Sequence, residues 1–160
     1  MKTKFTNKLA VGLSQQQQIK ICIWIIIIGL AVSGLTAFPL ETELEILSKN
    51  TTGTMQSWIQ TVYFSIKDTN QKYPWLSYGT DWLAFAHLML AVLFIGPLKN
   101  PEKNIWVIEF GIIACVMIFP LAFIAGPIRG IPFFWQLIDC SFGVIGLIPL
   151  IICYRKIKNL

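Results

Sequence analysis

Charge is scarce in this sequence. Only 13% of its 160 residues are Asp, Glu, Lys or Arg, against roughly 25% in a soluble domain. A fully water-facing surface cannot be assembled from so few charges. Histidine occurs once, at His87, which excludes a bis-histidine haem. His87, Asp139 and a neighbouring cysteine follow no metal-ligand spacing, so no metal is expected. The cysteines are Cys22, Cys115, Cys140 and Cys153. No two form a CxxC pair and all four fall in apolar segments, which excludes thiol redox chemistry and an extracellular disulfide framework. A phosphate-binding glycine loop, HExxH, GxSxG and a dinucleotide glycine pattern are all absent. No cofactor is implied. Alternating strands of ~10 residues are missing as well, which excludes an outer-membrane barrel.

What is present is long apolar runs. Hydrophobic residues make up 55% of the chain and the mean hydropathy is +0.64. Four runs, about 21–38, 82–98, 105–125 and 132–154, approach the ~20 residues that a ~30 Å hydrocarbon core requires. In lipid the backbone must satisfy its own hydrogen bonds, so these runs are expected to be helices. The expectation is an all-α integral membrane protein of one domain, 1–160. It has four transmembrane helices and a helical outer loop, 39–80, between spans one and two. The first run, with its basic leader, resembles a secretory signal, but it is long for such a segment and is expected to be retained.

The basic residues fix an orientation. Lys2, Lys4, Lys8 and Lys20 precede span one, Lys99 and Lys103 lie between spans two and three, and Arg155, Lys156 and Lys158 follow span four. The positive-inside rule then puts both termini in the cytoplasm, in a cell membrane. The net charge of +5 is thereby a topology signal. No basic patch interleaved with stacking aromatics exists, and nucleic acid is excluded as a partner.

Small residues at Gly29, Ser33 and Ala37 predict a close-approach face on span one. In the outer loop, Pro39 suits a helix start and Glu41, Glu43 and Glu45 suit the positive end of a helix dipole. Leu40, Leu44 and Leu47 form a short apolar stripe. Met55, Trp58, Ile59, Val62, Tyr63 and Ile66 recur with the helical period, and Thr51 or Thr52 is placed to cap that helix. This amphipathic helix is expected to lie on the membrane surface or to cover the mouth of the bundle. Tyr73, Trp75, Tyr78 and Trp82 form an aromatic belt before span two.

An ionisable group inside an apolar run is costly and marks a functional site. His87 and Asp139 are such groups, five and seven residues into their runs, which places both roughly 8–10 Å below the outer boundary. They are expected to meet. Gln136, Asp139, Cys140 and Gly143 share one helical face, and small residues there allow close approach. Asp81 opens span two, either as a capping acid or as the mouth of a path toward His87. Arg129, in the Gly/Pro-rich turn 126–132, either snorkels to lipid phosphate or clamps an anion. Glu109 is expected to pair with Lys99 or Lys103.

Three functions are compatible with this pattern. The first is an outward-facing polar pocket, lined by His87, Asp139, Gln136, Asp81, Arg129 and Cys140, that binds a lipid, quinone or other amphipathic small molecule. The second is an accessory subunit of a larger membrane complex. The third is a small intramembrane enzyme with His87 and Asp139 as acid and base. The partners implied are membrane lipid, an amphipathic small molecule and other membrane subunits.

Overall fold

The computed structural model describes residues 13–160, and within them every regular element is helical. Lys2, Lys4 and Lys8 lie outside the described residues. In chain order the helices are α1 Gln15–Ala37, α2 Leu40–Asn50, α3 Gly53–Lys72, α4 Tyr78–Leu93, α5 Ile95–Lys99, α6 Ile105–Ile128 and α7 Phe133–Lys158, with a 3₁₀ turn at Pro74–Leu76.

Local chemistry sets the boundaries. Before α1, the Gln17 amide donates to Ser14 Oγ at 3.2 Å, and the Ser14 amide donates back to Gln17 Oε1 at 2.8 Å. This reciprocal pair satisfies two otherwise orphaned donors. The helix stops before Pro39, which disfavours helical backbone in the residue ahead of it. Neither Thr51 nor Thr52 caps α3 through its side chain. The Thr51 hydroxyl instead donates to the Leu47 carbonyl at 2.8 Å and closes α2. Phe94 separates α4 from α5, and Pro97, within α5, has no amide to donate to Leu93, the residue at which α4 ends.

Four stretches are long and apolar enough to cross a membrane: Gln15–Ala37, Pro74–Lys99, Ile105–Ile128 and Phe133–Lys158. Only 17–28% of each most apolar window is buried within the chain. Ile28, Val32, Leu35, Ile113, Leu121, Ile124, Phe142 and Ile145 are all exposed. Apolar surface this extensive marks a face made for lipid or for another subunit.

The chain divides into two compact units, and the division falls within α1. One unit holds the residues up to Ile25 together with Gly96–Leu160. Its core is the α6–α7 hairpin, where Val107, Ile108, Cys140, Leu150 and Cys153 are buried. Glycines set how near the two helices come. A Cβ on Gly143 would stand 2.8 Å from the Cys115 carbonyl oxygen, and one on Gly126 would stand 2.7 Å from Gln136 Cδ. The hairpin turn is a Schellman motif. The Ile131 amide donates to the Gly126 carbonyl at 2.9 Å and the Gly130 amide to the Pro127 carbonyl at 3.1 Å, with Gly130 at φ +70°. At the start of α1, Gln15 Nε2 donates to the Lys156 carbonyl of α7 at 2.7 Å. Glu109 is half-buried and forms no ion pair among the described residues, contrary to the expected bridge to Lys99 or Lys103.

Gly130 gives a direct check on the hairpin. A side chain in the left-handed region costs roughly 1–2 kcal/mol, and Gly130 has open space around its α-carbon. Gly130→Ala is therefore expected to lower stability by about 1 kcal/mol in thermal unfolding of the purified protein. An unchanged midpoint would contradict the turn assignment.

The other unit is Ile26–Ile95. Helices α2 and α3 pack as a second hairpin, with Leu44, Ser48, Ile59 and Tyr63 buried between exposed Ile46 and Phe64. Gln56 Nε2 donates across it to the Ser48 carbonyl at 3.1 Å. The close approach of α1 to α4 runs through Gly34. Its Cβ would meet the Ala84 carbonyl oxygen at 2.8 Å and Leu88 at 3.0 Å. This corrects the sequence expectation. Gly29 has nothing within 4 Å and Ser33 is exposed, so the regular Gly29-Ser33-Ala37 stripe is not the packed face within the unit. Gly34 is the buried small residue, one position away from Ser33 on the neighbouring face.

Candidate functional site

Three changes of direction in unit Ile26–Ile95 enclose a cavity. The chain leaves α1 at Phe38-Pro39 and doubles back into α2. It returns along α3, turns again at Pro74, and enters α4. The end of α1, the start of α2, the end of α3 and the start of α4 thus border one space of about 280 Å³. Ligand pockets for whole drug-sized molecules run from roughly 300 Å³ upward. The space accordingly suits a headgroup or a short segment of a larger molecule.

Its walls are of two kinds. Ala37, Phe38, Leu40 and Ile66 supply apolar surface, while Glu41, Asn70, Ser77, Thr80 and Asp81 supply polar groups. The polar groups are tied together. Asn70 Nδ2 donates to Glu41 Oε2 at 2.7 Å, and the Ser77 hydroxyl donates to Asn70 Oδ1. The Asp81 amide donates to the Ser77 carbonyl at 3.1 Å, which seats Asp81 in the first turn of α4. Its carboxylate has no hydrogen bond or ion pair among the described residues. Glu45, one turn beyond Glu41, is already engaged: the Lys49 ammonium, at 2.6 Å, holds its carboxyl below the usual range. Lys67 is likewise engaged by the Tyr63 hydroxyl, which raises its pKa. No lysine or arginine lines the cavity. A space with two carboxylates and no cation favours positive charge and hydrogen-bond donors.

Of the six residues singled out from the sequence, Asp81 alone lines this cavity. His87 lies in the same unit, two turns deeper in α4, and is half-buried. Its Nδ1 stands 2.8 Å from the Leu83 carbonyl oxygen. A carbonyl only accepts, so Nδ1 carries the hydrogen and the imidazole is anchored to its own helix. The other four belong to the α6–α7 unit. Gln136 is buried, and its Nε2 donates to the Ile131 carbonyl at 2.8 Å, closing the hairpin turn. Cys140 is a buried free thiol one turn further on. Asp139 is half-buried, and within its unit its carboxylate has no hydrogen-bond or ion-pair partner among the described residues. Arg129 is exposed, and its backbone amide caps α6.

Sequence reasoning did not assign Glu41, Asn70, Ser77 and Thr80 to a site. Glu41 reads in the sequence as an acid placed for a helix dipole. The bond that enlists it reaches Asn70, 29 residues away, and no local pattern signals such a pairing. Among the described residues, no group of three or more His, Cys, Asp or Glu side chains is arranged to hold a metal ion. Compared with protein-family models, with curated proteins and with solved structures, the chain finds no match.

Proposed function

We propose that this chain is a multi-pass membrane protein that holds the head of an amphipathic small molecule in an outward-facing polar cavity. The cavity of unit Ile26–Ile95 carries this reading. It combines an apolar wall, a hydrogen-bonded row from Glu41 through Asn70 to Ser77, and the uncommitted Asp81 carboxylate. It also sits where two apolar helices begin and end, the level at which an amphiphile keeps its polar end.

The orientation follows from charge. Lys20, Lys99, Lys103, Arg155, Lys156 and Lys158 all flank one set of helix ends, and the positive-inside rule makes that set cytoplasmic. The cavity borders the opposite ends of α1 and α4 and so faces outward. Tyr73, Trp75, Tyr78 and Trp82 are all exposed at that level, as an interfacial belt requires. The α2–α3 hairpin is too polar to span and lies at the outer surface, with Glu41 and Asn70 turned to the cavity.

Cysteine labelling tests the placement. With Cys22, Cys115, Cys140 and Cys153 replaced by serine, a Thr80→Cys variant is expected to react with a membrane-impermeant maleimide in intact cells. A Lys103→Cys variant is expected to react only after permeabilisation. The reverse pattern would overturn the outward-facing cavity.

A further inference from the structure

The Gly96–Leu160 unit, with the start of α1, contains a second cavity of about 280 Å³. It opens among the first two turns of α1, the end of α5 and the connection 100–104. Ile19, Pro97 and Leu98 give it an apolar side, and Lys20, Lys99 and Glu102 give it an ionic one. Ile19 and Pro97 are almost fully buried, so the apolar side is fixed in the core. The two lysines are exposed, and neither forms an ion pair among the described residues. Lys20 and Lys99, from separate helices, therefore line one recess, beside the Glu102 side chain and the last residue, Leu160.

We propose that this recess binds a phosphate-bearing anionic group, supplied by a phospholipid of the cytoplasmic leaflet. Among the side chains that line it, two lysines stand against one carboxylate, Glu102, and this side-chain charge favours an anion. The apolar side favours a lipid over free phosphate, because Ile19, Pro97 and Leu98 can lie along the first carbons of an acyl or glycerol chain. The location favours the same source, because the recess lies at the ends of α1 and α5 that carry the basic residues, where anionic lipid is met. This site is distinct from the outward cavity and shares no residue with it.

The test is native mass spectrometry of the whole protein, released from micelles doped with phosphatidylglycerol or with phosphatidylcholine. Wild-type protein is expected to retain one phosphatidylglycerol in preference to phosphatidylcholine. Juxtamembrane lysines contribute about fivefold each, so Lys20→Gln with Lys99→Gln is expected to weaken retention by about twenty-five-fold. Replacing both by arginine is expected to keep it, which separates lost charge from lost folding. Lys158→Gln removes a positive charge that lies over the Tyr154 ring and does not line the recess, and it is expected to leave retention unchanged. Equal loss in Lys158→Gln, or full retention in the double glutamine variant, would overturn the site. Displacement of the lipid by millimolar inorganic phosphate would overturn the lipid as its source.

Discussion

Gly143→Leu is expected to destabilise the protein by about 3 kcal/mol, the upper part of the range for overpacked interiors. The reason is local. At Gly143 even a Cβ would come within 2.8 Å of the Cys115 backbone carbonyl, with Ile118 already at contact distance, 3.5 Å, beyond it. A carbonyl in the middle of a helix cannot move aside as a flexible side-chain tip can, so α6 and α7 must part. In lipid there is little hydrophobic drive to hold two helices together, and close packing carries most of the stability. Parting them forfeits contacts along both helices, including the burial of Cys140 and Leu150. Gly29→Leu is the control: it adds the same side chain to an apolar helix at a position with nothing within 4 Å. It is expected to shift stability by less than about 0.5 kcal/mol, as for an uninvolved surface position. Thermal or denaturant unfolding in one detergent compares the two. Equal effects would show that α6 and α7 do not meet at Gly143.

Those two glycines also show what the sequence makes legible. The four apolar stretches stand out because a membrane-spanning helix needs length and hydropathy, and both are properties of composition. Their ends are less legible. The first helix begins at Gln15 rather than near residue 21. Glutamines are good helix formers and the Ser14–Gln17 pair caps them, and hydropathy registers neither. Which small residue packs is less legible still. Gly29, Ser33 and Ala37 satisfy the helical period, yet it is Gly34 that touches α4. Periodicity identifies faces, but only the partner helix decides which face is used.

The candidate site divides in the same way. Asp81 was visible because an acid at the head of an apolar run is conspicuous. His87 was visible for a similar reason, but its recorded partner is its own backbone at Leu83, a bond that an isolated helix can make. Gln136 reads as a pocket residue, and its amide serves the turn between α6 and α7. Glu41, Asn70 and Ser77 were hidden because their association depends on two chain reversals, one between α2 and α3 at Thr51-Thr52 and one at Pro74. The lysines of the second recess were legible as topology signals. Their convergence on one space from α1 and α5 was not.

The second large effect concerns the cavity of unit Ile26–Ile95. Each carboxylate can accept a charge-assisted hydrogen bond from a bound headgroup, and such bonds contribute roughly 1.5–3 kcal/mol. Each is thus worth about tenfold or more in affinity. Glu41 already holds Asn70 through one oxygen, so its other oxygen is the one available to a ligand. Asp81 is uncommitted, as is Thr80 beside it, and the absence of lysine or arginine from the lining leaves the negative charge unopposed. Amides at the two acids preserve shape and remove that charge. Glu41→Gln with Asp81→Asn is therefore expected to weaken a positively charged amphiphile by about a hundredfold. Both positions are on the cavity surface and not in a packed core, so the fold is expected to persist.

The measurement that bears most directly on this account uses a long-chain primary amine carrying a fluorophore at its tail end, titrated into purified protein in zwitterionic nanodiscs. A carboxylic acid of the same chain length serves as the matched anion. Wild-type protein is expected to bind the amine saturably and in strong preference to the acid, and the Glu41→Gln, Asp81→Asn protein is expected to lose that preference. Binding of amine and acid alike, or undiminished amine binding by the double variant, would contradict a headgroup site between the end of α1 and the start of α4.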